Sequence, residues 1–324
     1  MGTKERIIAI LEEKRGSYFS GEELAERLSV SRTAVWKAIN SLRDNGYEIE
    51  AVTKKGYRLA EDTDQMSEAG IRKYISREEA IHIEVQPVVT STNTLLYEKA
   101  AKGQGEGYVL LAGAQTAGRG RQGHTFYSPK DTGIYMSLLL RPKDASVQSA
   151  ARITSMAAVA VCEAVEAVTG QEAGIKWVND IFMNGRKVSG ILTEASIDME
   201  NGNVAFVVLG IGVNLYKPKE GFPEDIQNIA GAAFSAKMGD AKNRLAAEII
   251  QRFWQYYKTW DKQAYTEKYR EKSLVIGKEV TVLLPEGKKK ARVLTIDDEC
   301  HLVVRYEDGK EDSLSSGEIS IKME

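Results

Sequence analysis

Cysteine is nearly absent from the 324 residues: Cys162 and Cys300 lie far apart with no second thiol near either, so neither a disulfide framework nor a Cys-based zinc site can be built. Three scattered histidines, His82, His124 and His301, add no ligand cluster, and no resident metal is expected, although paired carboxylates can hold Mg²⁺ without either residue type. A reducing, cytoplasmic setting follows as the expectation. Long apolar runs are missing too. Residues 149–170 come closest, but Arg152, Glu163 and Glu166 interrupt them, which fits a buried helix better than a membrane span. The opening Met-Gly-Thr-Lys-Glu-Arg leads into no signal-peptide core. Neither sign of charge dominates, with Lys+Arg 44 against Asp+Glu 46. No G-x-x-x-x-G-K-[ST] occurs, so a nucleotide must be held without a P-loop.

What is present points to an ordered chain. Hydrophobic residues make up 43% of it, ample for a sizeable core, and the length suits two or three domains. Ile7, Ile8, Ile10 and Leu11 share one face of a first helix. Ser20 and Glu23 have capping-box spacing ahead of a second, whose Leu24, Ala25 and Leu28 face inward. After Ser29-Val30, Ser31 can cap a third helix with Val35, Ile39 and Leu42 on its buried side. The outer face of that helix carries Arg32, Thr33, Trp36, Lys37 and Asn40. Gly46 ends it, and two short strands then flank Thr53-Lys54-Lys55-Gly56.

Helix, turn, helix and basic wing stand in the order of a winged helix-turn-helix. The third helix can enter a DNA major groove about 12 Å wide, while Lys54 and Lys55 neutralise flanking phosphates. Eleven Lys/Arg against nine Asp/Glu over residues 4–59 leave only a mild positive excess. Operator binding by a symmetric dimer on two half-sites is therefore expected over binding by a monomer.

Residues 61–70 are polar and acidic and read as a linker. Beyond them, strands are expected near 81–89, 108–114, 134–140, 175–178, 191–195 and 204–213. Helices are expected near 93–101, 149–168 and 241–260, with a hairpin turn at Asn184-Gly185. From about residue 275 the pattern changes to short strands at 279–284, 291–296, 302–306 and 311–314, separated by Pro285-Glu286-Gly287, Asp297-Asp298 and Asp308-Gly309, which reads as a small β-barrel. Lys288, Lys289 and Lys290 read as a solvated turn. The expected domains are 1–62, 63–274 and 275–324.

Gly118-Arg119-Gly120-Arg121-Gln122-Gly123 matches G-x-G-x-x-G in form but runs into His124-Thr125-Phe126-Tyr127-Ser128-Pro129, where no helix can open, so a dinucleotide fold is not indicated. What remains is a glycine-rich loop carrying two permanently charged guanidinium groups suited to carboxylate and phosphate, and it reads as a lid closing over an anion. Lys176 sits in an otherwise apolar strand just before a loop, an unusual place for a merely solvated lysine.

Six segments taken in order resemble one family: Arg32-Thr33-Ala34-Val35-Trp36-Lys37, Ser91-Thr92-Asn93, Gln115 to Arg121, Lys176-Trp177-Val178-Asn179-Asp180, Gly190 to Glu194, and Gly210-Ile211-Gly212-Val213-Asn214. Together they look like the bifunctional biotin protein ligases that also repress the biotin operon. The resemblance implies an α+β chain: an N-terminal winged helix-turn-helix, a central mixed α/β ligase domain of the class II synthetase and biotinyl/lipoyl ligase type, and a C-terminal SH3-like barrel. It also implies that biotin and ATP, the latter with Mg²⁺, form biotinyl-5′-AMP, and that biotin then passes to a lysine of a biotin carboxyl carrier protein.

By that likeness Ser91, Thr92, Asn93 and Gln115 would hold the biotin head group, and Arg119, Gly120 and Arg121 would close over biotin and phosphate. Lys176 would meet the carboxylate and α-phosphate, and Asn179 and Asn214 would complete the adenylate site. Ser31, Arg32, Thr33, Trp36, Lys37, Asn40, Lys54 and Lys55 would face operator DNA of biotin genes, with the adenylate favouring the DNA-binding homodimer. Departures from the family pattern are His124 and Phe126 in place of arginine and tryptophan, and Val178 in place of proline; a less preorganised turn before Asn179 is expected from the last. Two other readings fit the same residues: a biotin-sensing repressor without ligase activity, and a lipoate-attaching ligase.

Overall fold

All three N-terminal helices form where apolar spacing places them in the computed structural model, which describes residues 2–76, 80–142, 147–198, 200, 202–259, 264–284 and 287–320. The described residues divide into two compact units, one of residues 1–79 with 236–248 and the other of 80–235 with 249–324. In the first, α1 (Thr3–Glu13), α2 (Gly21–Leu28) and α3 (Arg32–Asp44) bury Ile7, Leu11, Leu24, Val35 and Ile39 in one core, closed by Leu59. Each such side chain contributes roughly 1.5–3 kcal/mol on leaving water.

The caps decide where these helices begin. Ser20 accepts the Glu23 amide at 3.0 Å and Ser31 the Ala34 amide at 3.1 Å. The return arm of the capping box expected at Glu23 is not made, because its carboxylate pairs with Arg27 one turn on. β1 (Ile49–Val52) and β2 (Gly56–Leu59) form the antiparallel wing, with Ile49 opposite Leu59 and Lys54 at the tip in the left-handed region (φ 67°).

Residues 61–70 are not a solvated linker. Thr63, Met66 and Ser67 are buried, and Ser67 caps a further short helix, α4 (Glu68–Arg72), by accepting the Gly70 amide at 2.9 Å. The polar composition that suggests a linker is spent on such bonds: the Lys242 amide donates to Asp64, and the Ser67 amide to Asn243. A closed set of charges completes this unit. Arg15 bridges Glu12 (2.8 Å) and Asp240 (3.0 Å), and Lys73 bridges the same two carboxylates.

The second unit is built on a seven-stranded sheet. Its strands are β3 (His82–Gln86), β4 (Tyr108–Ala112), β5 (Gly133–Leu140), β6 (Gly174–Lys176), β7 (Asp180–Met183), β8 (Arg186–Ile197) and β9 (Val204–Asn214), in the order β3-β4-β5-β9-β8-β7-β6. β3 and β4 are parallel and every other pair is antiparallel. Asn184 and Gly185 both take positive φ (49° and 71°) in the tight β7–β8 hairpin, as their sequence signals.

α5 (Thr92–Ala101) lies against β5 and β9, and α6 (Val147–Thr169) against β8. From Ile153 to Val165, α6 is buried nearly all round. The acids that interrupt its apolar run turn to cations: Glu163 pairs with Lys268 and Glu166 with Lys272. α7 (Ala241–Lys258) begins in the first unit and continues in the second, followed by α8 (Ala264–Glu271), which has no clear apolar period in the sequence.

A five-stranded C-terminal sheet follows in the order β13-β12-β11-β10-β14, from β10 (Glu279–Leu284), β11 (Gly287–Ile296), β12 (Leu302–Tyr306), β13 (Glu311–Leu314) and β14 (Glu318–Ser320). Lys288, Lys289 and Lys290 are not in a turn. They pair with β10 as the start of β11, since an exposed strand tolerates lysine when the partner strand supplies the backbone bonds. Pro285 and Glu286, read as part of the preceding turn, lie outside the described residues.

Candidate active site and nucleic-acid interface

Three segments remote in sequence converge on one cavity of about 610 Å³ in the second unit: the start of α5, the glycine-rich loop 118–128, and the β6–β7 hairpin. All ten residues expected at a small-molecule site line it. Ser91, Thr92, Asn93 and Gln115 stand on one side; Arg119, Gly120 and Arg121 come from the loop; Lys176, Asn179 and Asn214 come from the ends of β6 and β9 and the turn after β6.

The polar wall is already ordered by its own bonds. Ser91 is the N-cap of α5, which sets Thr92 and Asn93 on the first helical turn, facing the sheet. Gln115 accepts from the Thr92 amide at 2.8 Å and donates to Ser128 at 2.9 Å, so its side chain ties α5 to the far end of the loop. Behind them, fully buried Ser137 reaches Thr92 Oγ1 and Asn93 Oδ1 at 2.8 and 2.6 Å.

The glycine-rich loop is itself a small hairpin. The Gly120 amide donates to the His124 carbonyl at 2.7 Å and the Phe126 amide to the Gly118 carbonyl at 3.0 Å, around a single 3₁₀ turn at Arg121–Gly123 where Gln122 takes φ 52°. No α-helix opens there, in line with the missing helical period. Arg121 donates to Asn179 Oδ1 (3.0 Å) and to the Gly317 carbonyl (3.2 Å), while Arg119 pairs with Glu194 (2.9 Å) and stays half exposed. Lys176 Nζ lies 5.9 Å from the centre of the Phe182 ring and has no hydrogen-bond or ion-pair partner among the described residues. Two guanidinium groups and one such ammonium facing a common space make a site for an anion.

Glycines on β9 make room for this arrangement. A Cβ at Gly210 would stand 2.2 Å from Asn93 Oδ1, and one at Gly212 would stand 2.4 Å from the Phe126 ring. The turn before Asn179 is held from outside: Tyr269 donates to the Val178 carbonyl at 2.9 Å and the Trp177 indole to the Cys300 carbonyl at 3.0 Å. The Trp177–Val178 peptide bond is cis. The bonds to Val178 and from Trp177 brace this turn from α8 and from the loop before β12. His124 is exposed on the loop and lines the cavity, as does Phe126.

Several residues at the cavity carry no role in the sequence reading. Lys187 lines it and pairs with Asp180 at 2.6 Å, adding a fourth cation; its place two residues after the Asn184-Gly185 turn was the available signal. Glu194 falls within a segment that carries the family resemblance, but only the fold brings it to Arg119. Gly317, Glu318 and Ile319 reach the cavity from β14 and the residue before it, with nothing local to mark them.

The residues expected to face DNA lie together on the first unit. Ser31, Arg32, Thr33, Trp36 and Lys37 are exposed and Asn40 is half-buried, all on the side of α3 away from Val35, Ile39 and Leu42. Trp36 is 56% exposed, a large apolar surface that the core does not use. On the wing, Lys54 and Lys55 are exposed, with Lys55 5.6 Å from the centre of the Tyr18 ring, whereas neighbouring Arg58 is occupied by Glu50.

Three family models match the chain in this order: an HTH domain over residues 3–58, the biotin/lipoate A/B protein ligase family over 85–214, and the biotin protein ligase C terminal domain over 275–322. The bifunctional ligase/repressor BirA of Bacillus spizizenii is 35% identical over 312 residues, covering 94% of this chain and 95% of that protein. The protein of the same name from Salmonella typhimurium is 27% identical over 95% of this chain and 94% of its own length. Among solved structures, the biotin protein ligase from Aquifex aeolicus in complex with biotin and ATP superposes with a TM-score of 0.62 at 27% identity, over 74% of this chain and 97% of that one.

Proposed function

Since the chain belongs to the bifunctional BirA ligase/repressor family, we propose that its cavity activates biotin with ATP, passes it to a carrier-protein lysine, and serves as the sensor of a biotin-dependent repressor. The observation that carries this reading is the convergence of Arg119, Arg121 and Lys176 on the cavity that also presents Ser91, Thr92, Asn93 and Gln115. Its volume of about 610 Å³ lies within the range of small-molecule sites.

In the first step a biotin carboxylate oxygen attacks the α-phosphorus of ATP, pyrophosphate leaves, and biotinyl-5′-AMP remains. Two anions must approach, so fixed cations where the charge accumulates lower the barrier, and preordered ones do so without reorganising. Lys176, with no competing anion, meets the carboxylate and α-phosphate. Arg119, Gly120 and Arg121 close over them, and Asn179 and Asn214 take the adenylate. The ureido ring, one carbonyl acceptor and two N–H donors, suits the short polar groups of Ser91, Thr92, Asn93 and Gln115.

In the second step the neutral amine of the acceptor lysine attacks the activated carbonyl, the amide bond forms as AMP leaves with the bonding pair, and the nitrogen sheds one proton to solvent. Mg²⁺ would enter with ATP and offset the charge of the triphosphate.

The α3 face with Lys54 and Lys55 reads operator DNA. The adenylate favours a homodimer by binding it more tightly than the monomer, which places two α3 helices on two half-sites. Among the described residues no helix is long and apolar enough to cross a membrane, and a cytoplasmic site of action belongs to the same proposal.

Incubation with biotin, MgATP and an acceptor domain tests the ligase reading: biotinyl-AMP and a biotinylated acceptor are expected, and absence of both from folded protein overturns it. Pyrophosphate exchange that follows lipoate rather than biotin would instead assign the related chemistry. Sedimentation with and without biotin and MgATP tests the dimer, which is expected only with both.

A further inference from the structure

Behind the cavity wall stands a carboxylate to which the reaction above gives no part. Glu194 Oε1 lies 2.9 Å from Arg119 Nη2, and Glu194 Oε2 accepts from Asn93 Nδ2 at 2.8 Å. On the opposite side of the same amide, Ser137 donates to Asn93 Oδ1 at 2.6 Å. An acceptor on one side and a donor on the other select one of the two amide orientations of Asn93. Arg119, with Nη2 committed, keeps further N–H donors that take no other partner among the described residues.

We infer that Glu194 is a positioning residue for adenylate formation: one carboxylate sets the guanidinium of the loop and the amide of α5 together. The inference rests on the proposed ligase reading, in which these two side chains meet the anionic and ureido ends of biotin. A carboxylate is needed for it. Glutamine has one acceptor and one donor end, so it would set an N–H against either Arg119 or Asn93, both of which present donors to residue 194. Aspartate keeps both acceptors with a shorter reach.

The test uses the full chain, pyrophosphate exchange with biotin and MgATP, and trypsin cleavage after Arg119 and Arg121 without substrate. Glu194→Gln is expected to raise the KM for biotin about 10-fold, with kcat falling less than about threefold, because the lost charge-assisted bonds act on binding more than on the chemical step. Cleavage in the loop is expected about fivefold faster, as its held state loses an anchor. Glu194→Asp should recover part of both effects, and it carries the test if Glu194→Gln does not fold. Arg119→Ala should cost less in the Glu194→Gln background than alone, since the two share one interaction.

Unchanged KM and unchanged cleavage, or effects of Glu194→Gln and Arg119→Ala that multiply in full, overturn the inference. Failure of the unaltered protein to exchange pyrophosphate in response to biotin would remove the ligase reading instead, and the cleavage comparison would still decide whether Glu194 holds the loop.

Discussion

Charge is organised in opposite ways in the two units. Around Glu12 the first unit closes a set of two cations on two anions, with the Glu12 side chain only 1% exposed, and Tyr74 donates to Asp240 as well. Burial, helped by that neighbouring carboxylate, pushes the Tyr74 phenol up to about 12. In the cavity of the second unit the cations outnumber their partners, and Arg119 is half exposed. Charges that hold a fold saturate one another, because an unmatched buried ion is costly. Charges that serve chemistry keep donors in reserve at an accessible surface, ready for an anion to complete the set.

The contrast is broken or sharpened first at Glu12. Glu12→Ala leaves Arg15 and Lys73 short of an acceptor in a buried setting and should cost about 3–5 kcal/mol of stability in urea unfolding; a loss below about 1 kcal/mol would show that the set is not closed. Lys176→Ala should do the reverse, leaving the unfolding transition nearly in place while slowing biotin-dependent pyrophosphate exchange by about 10²-fold or more. Near-normal exchange would make Lys176 peripheral.

Smaller again is Lys37→Ala on the outer face of α3. It should weaken DNA binding at every sequence and reduce the slope of log affinity against log salt by about 1, with acceptor biotinylation unchanged; loss of both activities would deny that they are separate. The smallest effect is a silence. Burial pushes the Cys162 thiol up to about 12 and the Cys300 thiol up to about 11, above the ordinary thiol range. Both should therefore stay protonated and unreactive toward a disulfide reagent at pH 8 until the chain unfolds, and a fast-reacting native thiol would contradict their burial.

Most elements with a strong local signal were legible in the sequence. The caps at Ser20 and Ser31, the period of α3, the Asn184-Gly185 turn and the alternation of the C-terminal strands all act over a few residues, where pattern and physics coincide. Legibility failed where distant partners decide. Residues 61–70 look solvated until Lys242 and Asn243 supply bonds for Asp64 and the Ser67 amide, and Lys288 to Lys290 look like a turn until β10 pairs with them. At the cavity, residue chemistry and the family resemblance named every lining arginine and lysine except Lys187; Glu194 stands in a segment that carries the resemblance but is given no role by it, since only the fold brings it to Arg119.

The bond from Arg121 to the carbonyl of Gly317 spans 196 positions of the chain, and Gly317 to Ile319 are part of the wall it helps to build. A growing polypeptide therefore cannot assemble this chamber while those residues are still inside the ribosome, even though the strands and loop bearing Arg119, Arg121 and Lys176 have long since emerged. On the proposed reading, competence to make a reactive acyl phosphate is thereby tied to the release of residues 317–319, so products ending before them would carry the cations without the enclosure.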